Sequence, residues 1–193
     1  MIRTRLYAGL LAAVLAVPAQ AQLIGVGVGT LVPQGDLADH QKSGLAVSGN
    51  VEFGGRLKLR AELLWTNSDL KGVIITDPSG VPLPDDANVS GTVKYIAGLG
   101  SAVFYFGTGV FQPYVLGGGG YYSRSGAQDV KEAGQAVQHA SLNDSDFGLH
   151  FGAGLKLKFG GLAAFGELRY HRVKNEGDVK TNFVPILIGV RLF

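Results

Sequence analysis

Apolar and polar residues alternate with a period of two in short runs along most of the chain. Leu57, Leu59, Ala61, Leu63 and Trp65 fall on one face of such a run, and Arg56, Lys58, Arg60 and Glu62 on the other. Phe147, Leu149, Phe151, Ala153, Leu155, Leu157 and Phe159 likewise oppose Gly148, His150, Gly152, Gly154, Lys156 and Lys158. Near the end, Val184, Ile186, Ile188, Val190 and Leu192 share a phase against Pro185, Leu187, Gly189 and Arg191. Period two is the signature of strands with one apolar face, and beyond residue 22 no stretch sustains a helical period. The pattern predicts an all-β chain with strands over 23–31, 45–53, 56–66, 92–105, 110–123, 146–159, 162–173 and 183–193.

The connections between these strands run to about 13, 2, 25, 4, 22, 2 and 9 residues, alternately long and short. Gly54-Gly55 and Gly160-Gly161 suit two-residue hairpins, and Gly107-Thr108-Gly109 a wider one, because glycine accepts the positive φ of tight hairpin turns. All short turns then lie at one end and all long loops at the other. This arrangement predicts an eight-stranded antiparallel up-and-down transmembrane β-barrel with short periplasmic turns and long extracellular loops.

A soluble lipocalin-like barrel also alternates, but its apolar face points inward around a ligand. Arg60, Glu62, Lys156, Lys158, Glu167 and Arg169 share the less apolar phase with many glycines, as a narrow filled lumen requires. The apolar face is therefore assigned to lipid and the charges to the lumen. Rings near strand ends fit two aromatic girdles. Phe53, Tyr105, Phe106, Phe111, Phe159 and Phe193 form one, at the short turns, and Trp65, Tyr121, Tyr122, Phe147, Tyr170 and Phe183 the other.

Composition sharpens this picture. Thirty glycines in 193 residues lack a triplet period and accompany 46% apolar residues, which excludes collagen and argues against general disorder. The absence of cysteine removes disulfides and thiolate chemistry. At the N-terminus, Arg3 and Arg5 precede the apolar stretch Leu6 to Val17, followed by Ala19-Gln20-Ala21. Its apolar core is too short for a spanning helix and reads as a secretory signal peptide over residues 1–21, leaving a barrel domain over 22–193. Without Arg3 and Arg5 the charge falls from +2 to about zero, which gives a nucleic-acid partner no electrostatic support.

Chemical motifs are sparse. The glycines of Gly25-x-Gly27-x-Gly29 alternate with Ile24, Val26 and Val28 inside a strand, whereas a phosphate loop must open a helix. Among His40, His139, His150 and His171, His150 is expected inward near Asp144, Asp146, Ser141 and Ser145, without a recognisable catalytic spacing. Asp85, Asp86 and Asn88 fit no defined calcium loop. Residues 124–145 read as a polar loop with a short helical stretch around Val130 to Ala140. No catalytic residue, cofactor site or metal site is assigned. A charge network of Arg60, Glu62, Lys156, Glu167 and Arg169 is expected in the lumen, since an unpaired buried charge is costly.

Several segments in order resemble the outer-membrane protein β-barrel domain family, the small eight-stranded surface barrels that include the opacity-type proteins. They are Pro33-x-Gly35-Asp36-Leu37 with Lys42-Ser43-Gly44, and Pro113-Tyr114-Val115 leading to Gly117 through Gly120, Tyr121 and Tyr122. Gly152-Ala153-Gly154, Glu167-Leu168-Arg169-Tyr170-His171 and Phe183-Val184-Pro185 to Gly189-Val190-Arg191-Leu192-Phe193 complete the likeness. It implies location in the bacterial outer membrane, contact with outer-membrane lipids, and assembly-machinery recognition of the C-terminal strand through a terminal aromatic. Phe193 departs from that pattern, being in phase with Arg191 and Gly189 instead of Leu192.

The function expected is structural or adhesive, through loops that meet an extracellular ligand, and non-enzymatic. The alternatives are a small ion channel, a lipid-modifying enzyme and a soluble lipocalin-like carrier.

Overall fold

A computed structural model describes residues 22–70, 89–132, 135–174 and 180–192. The elements are β1 (Gln22–Gln34), α1 (Asp36–His40), β2 (Gly44–Gly54), β3 (Leu57–Asp69), β4 (Val89–Tyr105), β5 (Phe111–Glu132), β6 (Gln135–Phe159), β7 (Leu162–Lys174) and β8 (Lys180–Leu192). Each strand pairs antiparallel with its sequence neighbours, and β1 pairs with β8 as well as β2, so the sheet closes into a barrel. Closure removes every sheet edge, which is the condition for carrying strands through hydrocarbon.

All eight expected strands are present, and several are longer than the apolar pattern indicated. The correction is largest between β5 and β6. Residues 124–145, expected as a loop with a helical stretch near Val130 to Ala140, continue the hairpin through Val130↔Val137 and Glu132↔Gln135, with one register shift between Gln128 and Val130. A strand that extends beyond the bilayer needs no apolar face, so the alternation that identifies the other strands is missing there. The first long connection holds the short helix α1, whose Leu37 packs on the interior.

Two of the three short turns carry a glycine in the expected positive-φ conformation, and in the third neither Gly107 nor Gly109 adopts it. Gly54 (φ 120°) and Gly160 (φ 64°) occupy backbone conformations that favour glycine. Arg56 joins two neighbouring turns: its Nε donates to the Tyr105 carbonyl at 3.2 Å, and its own carbonyl accepts from the Tyr105 N–H at 3.1 Å.

Burial decides which face is outside. Leu63 is 60% exposed, Phe151 64% and Ile188 66%, whereas Glu52 and Arg191 are fully buried. The apolar stripes thus form the outer wall and the charges line the lumen, which rules out the lipocalin-like arrangement. A continuous apolar exterior of this extent is foreign to soluble monomers.

Glycine also governs how closely strands approach. A Cβ at Gly118 would lie 1.9 Å from the Gly100 carbonyl oxygen on β4, whereas one at Gly98 would meet nothing within 4 Å. Gly118→Ala is therefore expected to destabilise the barrel by roughly 1–3 kcal/mol, the usual range for overpacking. Gly98→Ala should be close to neutral. Urea titration in lipid vesicles, read by heat-sensitive gel mobility, checks the pair, and equal midpoints for both variants would show that the β4–β5 spacing does not depend on Gly118.

Candidate functional site

The lumen holds the molecule's densest chemistry. Residues two apart on a strand share a face, so Arg60 and Glu62 from β3 and Glu167 and Arg169 from β7 face each other across the interior. Arg60 Nη1 donates to Glu167 Oε2 at 2.7 Å, and Arg169 Nη2 to Glu62 Oε1 at 2.6 Å. Arg169 Nε also lies 2.8 Å from Glu167 Oε1 on its own strand. The β3 and β7 charges are thereby cross-linked in both directions.

Two charged residues beyond the expected five complete the cluster. Glu52 on β2 accepts from Arg60 Nε at 2.9 Å, and Arg191 on β8 comes within 3.4 Å of Glu52 and 3.6 Å of Glu167. Arg60, Arg169 and Arg191 balance Glu52, Glu62 and Glu167, so this group of buried side chains is formally neutral. Tyrosines from the remaining wall take part. Tyr105 donates to Glu52 at 2.8 Å and Tyr114 donates to Glu167 at 2.6 Å, while Arg191 Nη1 donates to the Tyr105 hydroxyl at 2.9 Å.

Lys156 occupies the same lumen at a different place. Its Nζ lies 3.9 Å from the centre of the Tyr105 ring, a cation–π contact nearer the short-turn mouth. Glu52 and Arg191 are legible by phase, since Glu52 shares the inward phase of Ser48 and Asn50, and Arg191 that of Leu187. Neither has an oppositely charged residue two positions away, the local pairing that marks β3 and β7.

Toward the long loops the filling becomes aromatic. His171 Nδ1 and the Tyr122 hydroxyl are 2.7 Å apart, and the His171 ring stacks on Phe183 at 4.9 Å and on His150 at 5.1 Å. His150 Nε2 shares a hydrogen bond with Ser101 Oγ at 2.8 Å. His150 faces inward as expected, and its hydrogen-bond partner is Ser101 on β4. The side chains of Ser141, Asp144, His40 and His139, and the whole of Asp85, Asp86 and Asn88, lie outside the described residues. Among the described residues, His150 Nδ1 has no hydrogen-bond partner, so no acid orients a Ser–His pair there.

The girdle assignments divide. Tyr121, Phe147, Phe151 and Phe159 face outward, with Tyr121 against Phe147 at 5.7 Å. Tyr170 packs beside Phe151 at 5.4 Å, and Trp65 is half-buried in the outward phase of β3. Tyr122 does not belong to the girdle: it is 1% exposed and points into the lumen, as do Tyr105 and Phe183. Adjacent residues of a strand face opposite ways, so Tyr121 and Tyr122 cannot both meet lipid. Phe193 lies outside the described residues.

A closed eight-stranded barrel with an apolar exterior and a neutralised, filled interior is an integral membrane barrel. The model of the outer membrane protein beta-barrel domain family matches residues 8–191, and the chain belongs to that family. It is a small β-barrel of the bacterial outer membrane whose outer wall contacts lipid. Neisserial surface protein A is similar over 89% of this chain and 96% of that one, at 14% identity and a TM-score of 0.58. A major outer membrane protein of Thermus thermophilus is similar over 89% and 98%, at 12% identity and a TM-score of 0.61. These likenesses show a shared fold. No curated protein matches the chain.

The cluster makes a sharp energetic prediction. Glu62→Leu alone leaves the Arg169 guanidinium without its cross-lumen acceptor and should cost about 3–5 kcal/mol, the range for breaking a buried pair. The double variant Glu62→Leu/Arg169→Leu keeps the cluster neutral and should recover most of that loss. Equilibrium unfolding of the single and double variants in one double-mutant cycle measures the coupling, and simple additivity would deny a direct interaction.

Proposed function

We propose that this protein is a sealed structural barrel of the outer membrane that presents its long loops to the exterior for adhesion and membrane integrity. The observation that supports this most is the filled lumen. Charged and hydrogen-bonded side chains from six strands meet near the short turns, and Tyr122, His171 and Phe183 stack above them. An eight-stranded barrel has room for little besides its own side chains. Binding on a rigid scaffold of this kind belongs to the loops, and the long β5–β6 hairpin is one of the segments that supplies them.

In the same reading, residues 1–21 act as a signal peptide that directs the barrel of residues 22–193 to the periplasm. The C-terminal strand is then the segment engaged by the assembly machinery. Arg60, Glu62, Glu167 and Arg169 rigidify the barrel, Lys156 lines its periplasmic mouth, and none of them performs a reaction.

Planar bilayer recordings separate this role from that of a channel. The wild-type protein should show no stepwise conductance, and Arg60→Ala should lower stability without opening a steady path. Resolved unit currents from the wild-type barrel, altered in Arg60→Ala or Glu62→Ala, would establish the channel instead. Loss of the gene should sensitise cells to vancomycin, a molecule the intact outer membrane excludes; unchanged sensitivity would remove the integrity role.

A further inference from the structure

Two histidines in the long-loop half of the lumen take no part in the charge cluster. His150 on β6 and His171 on β7 pair directly across the sheet, and their rings stack at 5.1 Å with an interplanar angle of 20°. Each also reaches a hydroxyl two strands away, Ser101 on β4 for His150 and Tyr122 on β5 for His171. Missing side chains clear both routes. Gly118 stands between Ser101 and His150 in the register, and an added Cβ at Gly148 would come within 2.7 Å of the Tyr122 ring. The pair therefore ties β4 to β6 and β5 to β7, strands that share no ladder.

Nothing around the pair balances a positive charge on it. The two residues are 2% and 0% exposed, and His150 Nδ1 and His171 Nε2 have no hydrogen-bond partner among the described residues. The second N–H of an imidazolium would find no acceptor on either ring. The lumen acids are committed elsewhere: Glu62 on β3 to Arg169, Glu167 on β7 to Arg60 and Arg169, and Glu52 on β2 to Arg60 and Arg191. Asp146, four residues from His150 on β6, has an interaction of its own. Arg169 is two residues from His171 in the same phase, and Arg124 two beyond Tyr122 on β5, while Arg191 on β8 and Lys156 on β6 lie nearer the short turns. From β4 come the uncharged Ser101 and Tyr95, the latter against Phe183 of β8. Stacking of His171 on Phe183 offers a cation–π contact, which offsets only part of the cost of burying a charge without a carboxylate.

We propose that the His150–His171 pair is an acid-sensitive latch of the lumen. With both rings neutral, the stack and its two hydroxyl partners hold the long-loop half of the barrel closed. When each imidazole takes up a proton, two like charges meet at 5.1 Å beside Arg169, the stack separates, and that half loosens. The arginine–glutamate cluster keeps its charges in mild acid, so the barrel stays sealed nearer the short turns. An unfolded chain presents ordinary imidazoles, which take up protons below about pH 6.5. The unfolded state then binds protons for which the closed barrel has no place, and stability is lost as the pH falls through that region.

Urea unfolding of the full-length barrel in lipid vesicles, read by heat-sensitive gel mobility across a pH series, tests the latch. Between about pH 6.5 and about pH 5 the wild-type folding constant should fall by up to about a hundredfold per pH unit, tenfold for each histidine. His150→Gln and His171→Gln should each remove one of these factors, and the double variant should stay level over the same range. A second reading is local. Val173, buried and next after His171 in the inward phase of β7, is replaced by cysteine in a chain that has no other. Dithiodipyridine, which modifies thiols in acid, should leave Val173→Cys untouched at neutral pH and modify it at about pH 5. In the histidine double variant the thiol should stay protected at both. Gel mobility verifies that each variant is folded, and a glutamine variant that fails is replaced by asparagine. A level wild-type profile, an equal fall in the double variant, or protection of position 173 in acid would overturn the latch.

Discussion

A strand crossing hydrocarbon has no water to satisfy its N–H and C=O groups, so each must find its partner on a neighbouring strand, and the sheet must close on itself. Here closure is made by β1 pairing with both β2 and β8. Eight strands enclose a lumen only wide enough for side chains, and this narrowness governs what the interior contains. The outer face has to be apolar, and the inner face collects the residues that lipid rejects. Those residues are buried as thoroughly as any protein core.

Burial sets the second requirement. An arginine or glutamate removed from water is tolerable only when paired and hydrogen-bonded, and the barrel meets this by bringing charges from strands that are not neighbours into one neutral cluster. Arg60 and Glu167 lie 107 residues apart in sequence and 2.7 Å apart in space. Such pairs form only when the barrel closes, which links the electrostatics of the lumen to the topology of the sheet. The tyrosines of β4 and β5 add hydroxyl donors to Glu52 and Glu167 beside the guanidinium groups of β3 and β7, so almost every wall contributes to the same cluster.

Much of this was legible in the sequence because period-two alternation gives strand and facing together. Leu57 through Trp65 and Phe147 through Phe159 reveal their lipid face directly, and Arg60, Glu62, Glu167 and Arg169 stand in the opposite phase. The signal fails where alternation stops. Gly117 through Gly120 carry no side chains and interrupt the phase of β5, which is why Tyr122 reads as a girdle residue until it is counted from Gln112 and Tyr114. Beyond Ser123 the sequence carries polar residues in both phases, and strand becomes indistinguishable from loop. The Ser101–His150 contact joins β4 to β6, strands that do not pair with each other, and no local spacing encodes it.

The assignment of inside and outside carries everything else, and single-cysteine labelling tests it most directly because the natural chain has no cysteine. Ile188→Cys places a thiol on the outer wall, and Ser101→Cys places one within the lumen. In bilayers, a bimane at position 188 should be quenched by nitroxide-labelled lipid, and the thiol at position 101 should resist a water-soluble maleimide until the barrel is unfolded. Ready labelling of position 101 from water in the folded state, or a label at position 188 that lipid nitroxide does not reach, would contradict the sealed, lipid-facing barrel.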